Sequence, residues 1–183
     1  YKKQRNVKIM NMSGNSRYND TEGRIQCALM ELLGKKSLNT ISVSDICTMA
    51  HISRPSFYAH YDDINDLIMH IEQEKSSYIA SIFVSSDTLT IESFEMYLKY
   101  ILENQLFYKA YFETRNNTKI TGAIMEQYAK ANHLSDSYKL RFQMNFYMAG
   151  IRAVVYDWIC TPDIASIRTV AELLYRQYLA FMS

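Results

Sequence analysis

Only two prolines and five glycines occur in 183 residues. Strand-rich folds reverse direction often, and their tight turns draw on Gly, Pro and Asn-Gly pairs. A chain this poor in turn residues reverses mainly at the ends of helices. Apolar residues recur at helical spacing along most of its length, so an all-α fold of about nine helices is expected. The length suits one or two domains and is enough to bury a core.

The first helix should open at Asp20 or Thr21, either of which can cap, and carry Ile25, Leu29, Leu32 and Leu33 on one face to a stop near Gly34. Ser42 can cap a short second helix, "VSDICTMA", with Asp45 three residues on and Val43, Ile46 and Ala50 facing inward. Ser53 caps a third that runs to about Tyr61, with Pro55 in its first turn, where a missing N–H costs little. "DDIND" opens a fourth, periodic through Leu67, Ile68, Ile71, Ile79 and Ile82 to about Ser85. Phe94, Tyr97, Leu98 and Ile101 mark a fifth, "QLFYKAYFET" a sixth, and Ile120, Ile124, Met125 and Tyr128 a seventh. An eighth runs from about Ser137 to Ile159, "CTPD" breaks it, and a ninth runs from about Ile164 to Met182. There is no internal repeat and no low-complexity segment.

Hydrophobic residues make up 48% and charged residues 21%, ordinary for a soluble protein. No apolar run approaches the roughly 18 residues of a membrane span. The first segment, "YKKQRNVKIMNMSGNSRYND", lacks the apolar stretch of a signal peptide. Cys27, Cys47 and Cys160 lie far apart and form no CxxC pair, which fits a reducing cytoplasm. Catalysis has little support. No Gly-rich phosphate loop, HExxH or GxSxG occurs, and His51, His60, His70 and His133 lack metal-ligand spacing. No enzyme activity, cofactor or metal is expected. Net charge is only +1, but residues 1–61 hold nine Lys/Arg against four Asp/Glu, while residues 62–183 hold eleven against fifteen. A polyanionic partner would meet the basic front.

The stretch "ISRPSFYAHYDD" carries the functional signal. Two short helices joined by a tight turn form a helix-turn-helix, whose second helix enters the major groove of double-stranded DNA. "DICTMAHISRPSFYAHYDDINDL" resembles the signature of the TetR/AcrR family of bacterial transcription regulators, and with the first helix the likeness covers about residues 21–71. Three positions depart from it. His51 replaces the turn glycine, a left-handed position at which His is among the better-tolerated alternatives. Tyr61 replaces phenylalanine. Ile64-Asn65 replaces Lys-Glu, which removes a lysine that in the family often meets phosphate.

Roles follow from chemistry and place. Phe57, with no polar atom, should pack inward. Arg54, Pro55 and Ser56 sit at the groove-facing start, where Arg can pair with guanine and Pro can read only shape or a thymine methyl. Tyr58, as the family motif agrees, and His60 combine packing rings with donor tips suited to phosphate. For His60 a packing role stands beside that one, and Tyr61 reads as core. Ser42 and Ser44 can offer hydroxyls to phosphate. Lys2, Lys3, Arg5 and Lys8 form a basic arm that either reaches DNA or is a solvated tail.

The last two helices are the expected homodimer interface, a pair that builds a four-helix bundle with its copy. Gly150, costly inside a helix, suits either close helix approach or a bulky neighbour within the chain. "NQLFY" and Trp158-Ile159 resemble the subgroup of the family that includes the dihydroxyacetone kinase regulator, DhaS-like, although Cys160-Thr161-Pro162 stands where a glycine often follows. Tyr97, Tyr100, Phe107, Tyr111, Met125, Tyr128, Met144, Tyr147, Met148 and Trp158 line a candidate pocket for a small apolar or aromatic effector, or are plain core. The expected organisation is a basic arm over residues 1–19, a DNA-binding domain over 20–63 and a ligand-binding and dimerisation domain over 64–183. The function expected is a cytoplasmic, homodimeric repressor on a palindromic operator, released by an effector. The alternatives are a protein-responsive coactivator, as the DhaS-like resemblance implies, and an adaptor that has lost DNA binding.

Overall fold

Ile25, Ala28, Leu29 and Leu32, at spacings of three and four, are buried along one side of the first helix, α1 (Met12–Leu33). In this computed structural model residues 12–84, 89–114 and 138–182 are described. They contain α1, α2 (Val43–Ala50), α3 (Arg54–Tyr58), α4 (Ile64–Val84), α5 (Ile91–Glu103), α6 (Gln105–Thr114), α7 (Tyr138–Cys160) and α8 (Ile167–Met182), with a 3-10 turn at Leu38–Thr40. No strand occurs among the described residues, so the all-α expectation holds. The stretch expected to form a seventh helix, with Met125 and Tyr128, lies outside them, as does the basic segment from Lys2 to Lys8.

Two boundaries differ from expectation for identifiable reasons. α1 begins at Met12, so residues 12–19 are helical and do not belong to a flexible arm. Thr21 does not cap: its hydroxyl donates to the Arg17 carbonyl at 2.9 Å, one turn back inside the same helix. α3 ends at Tyr58, short of Tyr61, because the chain tightens there. The His60 N–H donates to the Phe57 carbonyl at 2.9 Å, three residues back, and α4 starts soon after.

The chain divides into two compact units, residues 1–36 with 40–67, and residues 37–39 with 68–183. In the first, α1 packs on α2 and α2 on α3 around Ile25, Leu29, Ile46, Phe57, Tyr61 and Leu67. Each such apolar side chain contributes roughly 1.5–3 kcal/mol on burial. In the second, α5 packs on α8 and α6 on α7 around Phe94, Leu98, Ile101, Tyr108, Val155, Ile159 and Leu174. Arg168 of α8 reaches Glu95 and Glu92 of α5 at 3.0 and 3.4 Å and Glu172 at 3.1 Å. These pairs are exposed, so they orient the helices more than they stabilise them. The Trp158 indole N–H donates to the Ala165 carbonyl at 2.9 Å and closes the break between α7 and α8. Ser166, accepting from the Thr169 N–H at 3.1 Å, starts α8 at Ile167, later than the expected Ile164. Among the described residues no helix is long and apolar enough to cross a membrane.

Candidate nucleic-acid interface

The turn between α2 and α3 is built from the bottom by caps. Ser42 accepts from the Asp45 N–H at 3.2 Å, while the Asp45 carboxylate accepts from the Ser42 N–H at 2.8 Å and from its hydroxyl at 2.7 Å. That is the capping box expected from Ser42 and Asp45. Lys36 adds an ion pair to Asp45 at 2.8 Å. Hydrogen bonds from Lys36 first, and then from Ser42, hold the Asp45 carboxyl well below the ordinary carboxylate range.

α2 ends in a left-handed residue. His51 has φ 52° and ψ 49°, the only positive φ among the described non-glycine residues. The Ile52 N–H reaches back to the Cys47 carbonyl at 3.0 Å and the His51 N–H to Thr48 at 3.3 Å. This is a Schellman close, normally glycine's work, performed here by histidine. The Ala50 and His51 carbonyls point to α1, where the Arg24 guanidinium donates to both, to His51 at 2.8 Å. Arg24 thus fastens the turn to the first helix. Nothing in the sequence pattern flags it, because its partners are backbone atoms more than twenty residues away.

α3 starts at Ser53, whose hydroxyl accepts from the Ser56 N–H at 3.2 Å and shares a hydrogen bond with the Ser56 hydroxyl at 2.8 Å. Phe57 is 0% exposed and anchors the helix, as expected from its lack of polar atoms. Tyr61 is buried too, its hydroxyl donating to Glu22 at 3.1 Å, as its core reading requires. Between these anchors Arg54 and Pro55 are exposed, Ser56 is half-buried, and Tyr58 keeps 54% of its surface exposed, its ring edge-on to Phe57. Ser44 is exposed at the start of α2. Ser42 is exposed as well, but its hydroxyl proton is engaged by Asp45.

His60 is half-buried and stacks on Tyr18 of α1, ring centres 3.8 Å apart. Its Nδ1 is buried with no hydrogen-bond partner among the described residues. Burial lowers the imidazole pKa, against a smaller opposing pull from Glu22, so the ring is neutral near pH 7. Tyr18 was invisible to pattern reading because it sits in a polar stretch without apolar periodicity.

The charges of this unit sort clearly. Arg24 holds the turn, Lys36 pairs with Asp45, and Lys35 sits 3.8 Å from Glu31. Arg17 and Arg54 are exposed with no carboxylate partner among the described residues. The start of α4 is acidic. Asp66 accepts from the Asp62 N–H at 2.9 Å and Asp63 from the Asp66 N–H at 2.8 Å. Where the resemblance would place a phosphate-binding lysine, this chain has Ile64, flanked by Asp63 and Asp66, which close the helix end.

Of the candidate effector residues, Tyr97, Phe107, Tyr111, Met144 and Trp158 are buried, and Tyr100, Tyr147 and Met148 are half-buried. Tyr100, Phe107 and Tyr111 come together: Phe107 stacks on Tyr111 at 5.4 Å, and Lys75 of α4 lies 5.6 Å from the ring centres of both Tyr100 and Phe107. The Tyr111 hydroxyl donates to the buried Glu72 at 2.5 Å. Glu72 and Lys75 were missed, although the signal was present: they occupy the apolar stripe of α4 between Ile71 and Ile79.

No family model matches the chain, and no curated protein matches it in sequence. Solved structures do. A TetR-family transcriptional regulator from Streptococcus agalactiae aligns with a TM-score of 0.66 at 17% identity, over 92% of this chain and 97% of its own. A tetR-family regulator from Streptomyces coelicolor gives 0.66 at 15% identity, over 91% and 82%. The dihydroxyacetone kinase operon activator DhaS gives 0.56 at 21% identity, over 87% and 94%.

Proposed function

We propose, on the premise that this chain has the fold shared by TetR-family transcriptional regulators, that it is a sequence-specific DNA-binding regulator acting as a homodimer. Residues 20–63 supply the DNA-binding head, and residues 64–183 the effector and dimerisation body. The observation that carries the reading is α3: a buried Phe57 turns Arg54, Pro55 and Tyr58 outward, and Arg54 keeps its charge free of any carboxylate among the described residues. An unpaired guanidinium at the exposed start of a recognition helix suits a guanine edge, and Tyr58 suits a phosphate. Ser44 and Ser56 contribute polar contacts. Ser42 does so only if its hydroxyl leaves Asp45, and His60 acts chiefly by packing.

Dimerisation through α7 and α8 is supported by their surface. Tyr138, Phe142 and Phe146 repeat every four residues along α7, and Phe146 is 85% exposed. Among the described residues a Cβ added to Gly150 would meet nothing within 4 Å, so no described neighbour explains the glycine. Close approach of a second copy would offset the roughly 0.5–1 kcal/mol that glycine costs there. In this reading the protein is a repressor on a palindromic operator, released when a small apolar or aromatic effector favours one spacing of the two heads. Activation is the second reading, favoured by the likeness to DhaS, which is described as an operon activator.

The test is a gel shift on fragments selected from genomic DNA. Tyr58→Phe should weaken binding to all sequences alike. Arg54→Ala should cost about 1–3 kcal/mol and relax preference at one position. If neither change alters binding, α3 is not the reading head.

A further inference from the structure

Lys75 lies in the apolar stripe of α4, one turn after Ile71 and one before Ile79, both buried. Leucine or methionine would fill that position without a charge. The lysine is half-buried, and its ammonium donates to the Asn104 side-chain oxygen at 2.5 Å. The rings of Tyr100 and Phe107 flank it at 5.6 Å each. Ring faces attract a cation but accept no strong hydrogen bond. An ammonium has three N–H donors, so the contacts among the described residues leave it short of acceptors, and no carboxylate there lies within ion-pair distance of it. Burial pulls its pKa below the ordinary lysine value, against a smaller opposing effect of Glu74.

The same two rings border a second leftover polar group. Tyr108 packs edge-on against Phe107 at 5.4 Å and against Tyr100 at 6.4 Å, and its buried hydroxyl has no hydrogen-bond partner among the described residues. By contrast, Arg168 meets three carboxylates. A cation drawn into an aromatic cluster with no carboxylate among the described residues at ion-pair distance is a cost in the empty protein, and a ligand's negative charge in direct contact would offset it.

We infer that Lys75, with Asn104, Tyr100, Phe107 and Tyr108, forms the anion-binding end of the effector site, and that the effector is an organic anion with an apolar or aromatic body. The ammonium takes the carboxylate, sulfonate or phosphate, and the rings take the body. The inference rests on the effector-responsive reading above and narrows its ligand from apolar to amphipathic and anionic.

The full-length protein is titrated with the anionic dye 1-anilinonaphthalene-8-sulfonate and with its uncharged relative N-phenyl-1-naphthylamine. Lys75→Met should weaken the sulfonate by about ten-fold or more, the scale of one charge-assisted hydrogen bond. The uncharged dye should bind both proteins within a factor of about two. Equal sulfonate binding to both proteins, parallel loss of both dyes, or no sulfonate binding to the wild type would overturn the inference. Should Lys75→Met fail to fold, the wild type alone decides: octanoate must displace the sulfonate at concentrations where octanamide does not, and equal displacement refutes the site. DNA binding is read separately. Charge-selective dye binding with unchanged operator affinity leaves the anion site standing and removes the switching function; charge-blind dye binding with intact, specific operator binding does the reverse.

Discussion

The turn between α2 and α3 and the stretch of α4 around Lys75 treat their polar groups in opposite ways. At the turn every exposed end is closed: a capping box at Ser42, a Schellman close at His51, a serine cap at Ser53, and Arg24 fastening two carbonyls. Around Lys75 the described residues give an ammonium one neutral oxygen partner and two rings, and a buried tyrosine hydroxyl none. Closed backbone ends on both sides of the turn hold α3 in one orientation. Incomplete satisfaction makes a region whose polar groups are completed from outside. Rigidity suits the reading of a fixed duplex, and unmet polarity suits a response to a ligand.

The widest gap between the two regions should appear on truncating their anchors. Phe57→Ala removes a fully buried ring from the first unit and should cost about 3–5 kcal/mol in denaturant unfolding. A loss below about 1 kcal/mol would mean that α3 is not held by its core side. Next comes removal of a cation. Arg24→Met leaves two carbonyls without their donor and should cost about 1–3 kcal/mol, with weaker DNA binding although Arg24 need not touch DNA. The matching change in the body, Lys75→Met, should leave the melting temperature unchanged or raised. Equal destabilisation by both would erase the contrast.

A smaller effect tests backbone strain. His51→Gly relieves a left-handed residue and should stabilise the turn by about 1 kcal/mol, read as a shift in the denaturation midpoint. The smallest effect is a pH dependence. The His60 pKa is lowered from 6.5 in the folded chain, so the unfolded chain takes up a proton first as the pH falls. Stability from this residue should be complete above about pH 6.5 and decline as the pH drops through the lowered value; His60→Gln should flatten that decline in a series of melts.

Much of this was legible from local pattern. Val43–Ala50 and Gln105–Thr114 form the helices their spacing announced, Ser42 and Ser53 cap where a cap was expected, and His51 takes the left-handed conformation that the turn position demands. These features depend on residues within one helical turn of each other. What escaped depends on distance. Arg24 acts on residues 26 and 27 positions away, and Tyr18 acts on His60 from a stretch with no apolar rhythm. Thr21 misled because a hydroxyl that can cap a helix can also bond one turn back inside it. Lys75 and Glu72 were readable in principle, since two charged residues in an apolar stripe signal either a solvated face or a buried polar site, and only packing tells which.

The most direct measurement of the central claim is a hydroxyl-radical footprint on a fragment selected from genomic DNA, at low salt with excess competitor. The account predicts two inverted, protected half-sites on one face of the duplex, centred about 34–36 Å apart or a multiple of that, lost in Arg54→Ala. Uniform cleavage, or protection unchanged by Arg54→Ala, would contradict it.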